Sequence, residues 1–316
     1  MKKYLPLLAV VVLLGIGGYF VLNSNSETKT TAQASKPQAK IEQKIELEDF
    51  NKVRGCAHLP MFLYKAGIKR PIIDLSQEHY TGIAFYFDRG TKAFHKKQWE
   101  QFEHLGTYTI DKSGNIYLTP TPFISIKPTT FSLQKGIYKL DSKTGELSKF
   151  MTIDEVEASA KNPYGLISII YDCKDNTLWV SSIDKTDYKG VKGRIYHIDI
   201  AKKEVIDKYE GFDALTINWL YTKNKRYLIA GSAIDNGVYL FALQNNKLQK
   251  PVKLFSLPNA QLRVRKIKVV GKNRLKLEAI KFNYSLVAQT SEKQREVFEA
   301  SYNSQTKTWS IKKLEH

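Results

Sequence analysis

A two-part strand pattern repeats along this chain from about residue 106 to its end, and it restricts the fold more than any other feature. The first part is an apolar run, an Asp-rich turn and an aromatic-rich strand, as at residues 109–119 and 170–181. The second part is a hairpin, as at residues 136–147 and 194–205. Units that recur at roughly 40–50 residues are typical of propeller blades copied around an axis.

Four such units are plain, and the aromatic residue of each hairpin stands at Tyr138, Tyr196, Tyr239 and Phe298. Strand-like segments at residues 71–75 and 82–87 add one or two more units. The sequence therefore predicts an all-β fold, a β-propeller of five or six four-stranded blades over residues 48–316, because radially arranged sheets protect each other's edges. The N-terminal segment is expected to supply the last strand of the circle.

Smaller features complete the fold prediction. Asp154 is a good N-cap, so residues 153–161 predict a short helix between two blades. Residues 41–50 fit either a short helix or an opening strand. Three aromatic residues occupy matching positions of the repeat and are expected in the core between blades: Tyr117, Trp179 and Tyr227.

The N-terminus reads as an export signal. Lys2 and Lys3 precede an apolar run over residues 4–22, close to the ~20 residues that span a bilayer. Residues 1–22 therefore predict a signal-anchor transmembrane helix, and a cleaved signal peptide is the alternative, although its best cleavage site, residues 32–34, comes late. Residues 23–47, dominated by small and polar side chains, predict a disordered stalk that acts as a flexible linker.

This N-terminal pattern fixes the expected location of the chain. Lysines ahead of an apolar span keep that end inside the cell. We therefore expect a single-pass membrane protein of a bacterial-type inner membrane, with its C-terminal domain periplasmic or extracellular. In such an oxidising compartment, the two cysteines either form a disulfide, Cys56–Cys173, or remain buried free thiols. The sequence leaves both open, because it does not give the distance between them.

The formal net charge of +18 is concentrated most clearly in the last repeat unit. Its basic residues are Arg263, Arg265, Lys266, Lys268, Lys272, Arg274, Lys276 and Lys281, with Glu278 opposing them. Successive side chains of a strand point to opposite faces, so this strand is expected at the outer edge or facing the channel. The surplus favours docking to an acidic partner or an anionic envelope surface; the alternative is a charged edge that discourages aggregation. Export argues against nucleic acid as a partner.

The turn units at residues 111–118 and 172–180, with the Tyr-x-Ile/Leu-Asp hairpins at 138–141 and 196–199, resemble a known group. This is the superfamily of six-bladed propellers that includes NHL, SMP-30/gluconolactonase and YVTN-type repeats. Many unrelated propellers share these units, so the resemblance implies a fold and hardly any function.

The SMP-30 group would imply a divalent cation at the axis, held by a Glu-Gly-Pro glutamate, an Asn and an Asp. This chain has no Glu-Gly-Pro, and residues 79–84 stand in its place. Asp213 and Asn218 remain as candidate ligands, but Asp and Asn more commonly serve turns and strand ends. No nucleophile turn or phosphate-binding glycine loop occurs, so we assign no catalytic residue, no metal ligand and no cofactor.

Two functions follow from this sequence. The first is a binding or scaffolding module for an envelope protein or glycan. That partner would be acidic if it binds the excess lysines and arginines. The alternative is a metal-dependent, lactonase-like hydrolase at the axial mouth, with a divalent cation as its only cofactor. A small-ligand sensor at that mouth is a weaker third reading. In each case the residues expected at the mouth are Tyr80, Tyr164, Asp184, Asp213, Arg263 and Asp235.

Overall fold

A computed structural model describes residues 46–123, 130–187, 189–284 and 295–315. Their strands form five antiparallel sheets, which are the five blades of a propeller. The predicted all-β propeller is confirmed, and it has five blades rather than six. The predicted transmembrane helix over residues 1–22 lies outside the described residues. Within the part of the chain that the structure describes, no helix is long and apolar enough to cross a bilayer.

The blades follow one another along the chain. Blade 1 has β1 (Ile72–Asp74), β2 (Ala84–Phe87) and β3 (Lys92–Phe94). Blade 2 has β4 (Leu105–Ile110), β5 (Ile116–Pro120), β6 (Gly136–Leu140) and β7 (Leu147–Thr152). Blade 3 has β8 (Leu166–Asp172), β9 (Thr177–Ser182), β10 (Arg194–Asp199) and β11 (Glu204–Glu210).

Blade 4 has β12 (Ala214–Tyr221), β13 (Arg226–Ser232), β14 (Gly237–Gln244), the short β15 (Lys247–Leu248) and β16 (Val252–Ser256). Blade 5 has β17 (Leu262–Gly271), β18 (Arg274–Lys281), β19 (Glu296–Asn303) and β20 (Thr308–Leu314). The helices are α1 (Met61–Lys65) and 3₁₀ segments at Asp88–Gly90, Lys97–Phe102 and Phe131–Lys135.

The aspartates of the sequence repeat explain why the hairpins turn where they do. Asp111 accepts hydrogen bonds from the backbone N–H groups of Ser113 and Asn115 with one carboxylate oxygen. Asp141 and Asp199 do the same for the two turns that close blades 2 and 3. A short acceptor at the first turn position favours the tight reversal over a continued strand. The repeat is therefore a series of turn signals between apolar strands.

Apolar clusters join neighbouring blades in sequence order: blade 1 to blade 2, 2 to 3, 3 to 4, and 4 to 5. The three repeat aromatics, Tyr117, Trp179 and Tyr227, are all buried, as expected for the core between blades. A further cluster around Tyr164 and Leu215 lies at the start of the inner strands of blades 3 and 4.

Side chains also link the inner strands β4, β8, β12 and β17, which adjoin one another around the axis. Thr109 Oγ1 accepts the backbone N–H of Tyr171 at 3.0 Å. Ser168 Oγ accepts the N–H of Ile217 at 3.1 Å. In a third, separate link, the Asn218 side-chain amide donates to Ile267 O at 2.7 Å. Each link satisfies a backbone group on the otherwise unpaired inner edge of the next blade.

The N-terminal segment, residues 46–60, crosses the propeller end at which the inner hairpins turn. It starts at blades 4 and 5, where Tyr302 Oη donates to Leu47 O at 2.9 Å and Phe50 forms one bridge with Thr222. The segment then reaches the β8–β9 turn, where Cys56 and Cys173 form a disulfide with their Cα atoms 6.0 Å apart. Among the described residues it adds no strand to any blade, and the expected closure of the circle by this segment stays a prediction for the residues outside them.

The predicted helix over residues 153–161 is also wrong, since these residues form turns. Ile153 N–H donates to Lys135 O at 3.0 Å, and Glu157 N–H donates to the Asp184 carboxylate at 3.0 Å. These acceptors on neighbouring segments replace the carbonyls that a helix would use, so tertiary contacts override the local propensity.

Candidate functional site: the open seam between blades 5 and 1

Blade 1 differs from the others because it has three strands instead of the predicted four. Gln77, just after β1, donates from its side-chain amide to Leu105 O at the start of β4, at 3.2 Å. The end of β1 therefore lies beside the beginning of β4, so the two strands run in opposite directions. In a complete blade the innermost strand would run with β4. Thus β1 has the direction of a second strand, and blade 1 has no innermost strand among the described residues.

A seam follows from this difference. In the described ranges no apolar cluster joins blade 5 to blade 1, whereas each of the other neighbouring pairs shares one. We call the groove between these two blades the seam. Its volume is about 330 Å³. It is lined by Leu59, Pro60, Leu63, Pro71, Ile72, Ile73, Phe85, Tyr108, Ile110, Lys266 and Lys268.

The two walls of the seam have different chemistry. The wall from blades 1 and 2 and the N-terminal segment is apolar, and several of its side chains are exposed: Ile72 by 63%, Tyr108 by 41% and Leu59 by 40%. The wall from blade 5 carries Lys266 and Lys268, both exposed. The same lysines, with Ile73 and Tyr108, also border the axial cavity, whose volume is about 660 Å³. The seam and the axial cavity are therefore adjacent and share a wall.

Blade 5 presents a basic sheet face towards the seam. Its opposite face packs on blade 4 through residues such as Leu275 and Leu277. Cross-strand partners share a face, so the register places seven charged side chains together on the free face. They are Lys266, Lys268, Arg274, Lys276, Lys312, Glu278 and Glu299. Five are basic and two are acidic, so this face, which we call the free face of blade 5, has a net positive charge.

Two lysines on the free face lie directly opposite each other, since Lys268 of β17 pairs with Lys276 of β18. Like charges at such a position destabilise a sheet. Glu278 reaches Lys266 at 3.6 Å, and Glu299 reaches Arg274 at 3.7 Å. Among the described residues no carboxylate forms a salt bridge with Lys268 or Lys276, although Glu299 of β19 lies opposite Lys276 in the register. The face therefore keeps positive charge that its own acidic residues do not neutralise.

The pKa of Lys268 reflects this crowding. It is lowered, first by the neighbouring ammonium of Lys266 and then by partial burial. The Glu278 carboxylate opposes this shift, and Lys276 and Lys52 add further repulsion. Lys52 belongs to the N-terminal segment, so a second element adds positive charge at this end of the seam. An anionic group bound here would relieve the repulsion and raise the Lys268 pKa again.

The lysines occupy a special register. In each of the inner strands β4, β8, β12 and β17 the pairing with the second strand shifts register near the start. The first residue after the shift is Thr107, Ser168, Thr216 and Lys266, respectively. Two positions further on stand Thr109, Ile170, Asn218 and Lys268. In blades 2 to 4, side chains from these positions bond to the next inner strand. In blade 5 both positions are lysines, and the described part of blade 1 offers them no inner strand.

Asp213 and Asp184, expected at the mouth, are both buried in structural hydrogen bonds. Asp213 accepts from Gly193 N–H at 2.6 Å, from Thr186 Oγ1 at 2.9 Å and from Tyr284 Oη. Burial raises the pKa of the Asp213 carboxyl, and these donors oppose the rise. Asp184 pairs with the guanidinium of Arg194 at 3.3 Å and also accepts Glu157 N–H.

The other four expected residues have local roles as well. Asp235 pairs with Lys253 at 2.8 Å, and Arg263 donates to Ala233 O at 3.1 Å. Tyr80 packs on His95 with 4.7 Å between ring centroids, in the loop after β1. Tyr164 belongs to the apolar cluster with Leu215. The structure therefore brings none of the six onto the wall of the axial cavity or of the seam.

The structure also locates the candidate cation ligands. Asn218 borders the axial cavity, but its side-chain amide donates to Ile267 O, and Asp213 accepts three hydrogen bonds as described above. Over the described ranges no group of three or more His, Cys, Asp or Glu side chains is arranged to hold a metal ion. These residues offer no observation in favour of a cation at the axis.

Comparisons with known proteins give matches among solved structures only. No protein-family model matches the chain, and no curated protein matches it in sequence. A solved structure that does match is the β-propeller domain of Myceliophteria thermophila Cps50 (Swd1), at 10% identity over 78% of this chain and 88% of that chain, with a TM-score of 0.40.

Two other matches are parts of longer proteins. Dihydro-heme d1 dehydrogenase NirN matches at 10% identity over 78% of this chain and 45% of that chain, with a TM-score of 0.40. Pyrococcus horikoshii acylaminoacyl peptidase matches at 14% identity over 77% of this chain and 36% of that chain, with a TM-score of 0.35. This chain thus spans less than half the length of either. The resemblance to the NHL and SMP-30 superfamily gains no support from these matches and stays a prediction.

Proposed function

We propose that this chain is an exported, membrane-tethered binding module that docks an acidic protein of the cell envelope in the seam. The observation that carries the proposal is the free face of blade 5, where Lys268 and Lys276 oppose each other and five basic side chains outnumber two carboxylates. A net positive face speeds the approach of an acidic partner and selects against basic ones.

A protein suits the seam better than a glycan does. The wall opposite the lysines is apolar and includes exposed Ile72, Leu59 and Tyr108. Burying such side chains requires apolar surface on the partner, which protein side chains supply. A sugar polymer would leave its hydroxyl groups against these residues without hydrogen-bond partners. The hydrolase alternative has no observation in its favour, so we propose the binding function alone.

Two observations support export. Residues 2–22 have the pattern of a signal-anchor, with lysines ahead of an apolar run. Disulfides such as Cys56–Cys173 persist mainly in oxidising compartments. A C-terminal alkaline phosphatase fusion should be active in cells of a bacterial host, and a C-terminal green fluorescent protein fusion should stay dark. The opposite pair of results would place the propeller in the cytoplasm and remove the envelope partner.

Charge reversal at the free face tests the docking proposal directly. The double variant Lys268→Glu, Lys276→Glu should capture at least tenfold less partner than the wild type in a crosslinking pull-down from the native envelope. The reason is that the variant makes the net charge of the free face negative, so it replaces attraction of an acidic partner by repulsion. The matched control is Lys161→Glu with Lys247→Glu, which makes the same change of net charge at exposed lysines outside the seam.

The control variant should capture the partner as well as the wild type does, and capture by the wild type should weaken as salt is added. The captured protein should contain a segment rich in Asp and Glu. Equal capture by both double variants would show that the free face is not the docking surface. Recovery of a glycan in place of a protein would also contradict the proposal.

A further inference from the structure

We propose that the acidic partner supplies a β-strand that completes blade 1, lying in the seam where the other blades have their innermost strand. The inference rests on the proposed function and goes further, since it specifies the conformation and the sequence pattern of the segment that binds. It starts from the edge of β1. Among the described residues only β2 pairs with β1, so in that part of the chain the other edge of Ile72–Asp74 has no strand beside it. Unpaired N–H and C=O groups on such an edge can accept an added strand.

The walls of the seam predict which side chains the added strand carries. Alternate side chains of a strand point to opposite sides of its sheet. On one side they would meet Lys266 and Lys268 of blade 5, and on the other they would meet the apolar wall that includes Phe85 and Ile110. A segment in which acidic and apolar residues alternate matches both walls at once. A segment of the same composition with its acidic residues grouped together does not.

The register of the lysines supports the same occupant. In blades 2 to 4 the equivalent positions hold side chains that bond the backbone of the adjacent inner strand, as Ser168 does for Ile217. Lys266 and Lys268 lie two positions apart on one face of β17, so they would meet residues two apart on an added strand. Two carboxylates at that spacing would neutralise both lysines. The inner strand β4 has six residues, which sets the expected length of the added strand.

Model peptides test this inference on the full chain by fluorescence anisotropy. The first probe is a peptide of about eight residues that alternates Glu and Val. This length is within the usual range for strands and leaves a residue beyond each end of the expected six-residue strand. The second has the same composition in two blocks, and the third alternates Lys and Val. The wild type should bind the first peptide at least tenfold more tightly than either of the others.

Charge reversal on the protein is a more specific test than the wild-type comparison. The variant Lys268→Glu, Lys276→Glu should reverse the preference and bind the Lys/Val peptide at least tenfold more tightly than the Glu/Val peptide. The control variant Lys161→Glu, Lys247→Glu should keep the wild-type order. Saturating Glu/Val peptide should also slow deuterium exchange in the wild type at residues 72–74 at least tenfold, because the added strand would bond to the edge of β1.

Three results would overturn the inference. One is equal binding of the alternating and block peptides. Another is a failure of the charge-reversed variant to change its preference. The third is slow exchange at residues 72–74 without peptide, which would mean that another segment of this chain, or a second copy of it, occupies the seam. If envelope capture still depends on Lys268 and Lys276 in such a case, the acidic partner remains and only the strand is excluded.

Discussion

Replacing Cys56 and Cys173 together by serine should lower the free energy of unfolding of this chain by about 3 kcal/mol. The two residues are 117 positions apart in the sequence, so the disulfide closes a long loop of the unfolded chain. In the chain-entropy treatment a loop of about 100 residues gives up to about 4.7 kcal/mol, and measured effects are typically about 2–4 kcal/mol. The bond also holds residues 55–57 against the axial cavity, which they border.

Urea unfolding followed by tryptophan fluorescence measures this difference. The wild type under reducing conditions should unfold at the urea concentration at which the double serine variant unfolds, which controls for the substitutions themselves. Trypsin should cleave after Lys52 or Arg54 faster in the variant, because both residues are exposed in the segment that the bond holds. A loss below about 0.5 kcal/mol would show that the segment stays in place without the bond.

The repeat made the regular blades predictable because it consists of local signals. Asp111, Asp141 and Asp199 each bond the turn that follows them, so their positions in the sequence predict the hairpins directly. Blade 1 lacks such a unit, and its strands are short, with only three residues in β1. The sequence could therefore not distinguish five blades from six, nor show that one blade lacks a strand.

The seam was harder to predict than the fold because it follows from a strand position that no described residue of blade 1 fills. The sequence did identify the basic run that includes Lys266 and Lys268 and placed it at an edge or at the channel. It did not predict that Lys276 lies opposite Lys268, which follows from the register of β17 and β18. The available signal was two lysines spaced two apart where the earlier repeats have uncharged residues.

The residues expected at the mouth show a different limit of the sequence. Asp184 and Asp213 stand near strand ends, where a carboxylate can either face a ligand or accept backbone N–H groups. The structure shows the second use, with Gly193 N–H bonded to Asp213 and Glu157 N–H bonded to Asp184. Nothing in a single sequence separates these uses, because the donors come from residues distant in the chain.

Replacing Arg226 by methionine should destabilise the chain by about 3–5 kcal/mol, the usual cost of leaving a buried charge without its partner. The Arg226 guanidinium bonds to the carboxylates of Asp172 and Asp175 and lies over the Trp219 ring at 5.2 Å. Asp172 is fully buried and ends β8, whereas Arg226 begins β13, so this pair joins blade 3 to blade 4. Thermal or urea unfolding of the two proteins at neutral pH measures the loss.

The companion variant separates charge from packing. Adding Asp172→Asn to Arg226→Met removes the unpaired carboxylate. The asparagine keeps a side-chain oxygen that can accept the Lys174 N–H, as Asp172 does at 3.0 Å. The double variant should regain at least half of the lost stability, because an uncharged side chain is far less costly to bury than an unpaired carboxylate. A double variant no more stable than Arg226→Met would show that the loss came from the packing of Arg226 on Trp219.

The pH dependence of stability independently tests the cost of the unpaired Asp172 carboxylate. Burial raises the pKa of the Asp172 carboxyl, and the Arg226 guanidinium opposes that rise. Removing the guanidinium raises this pKa further, so the folded variant binds a proton more readily than the unfolded chain does. Its stability must then increase as the pH falls through the raised pKa of the folded state. The deficit of Arg226→Met relative to the wild type should therefore shrink on acidification. The deficit of the double variant, which has no carboxyl at this position, should not shrink; it should grow slightly, because the wild-type Asp172 pKa is itself raised.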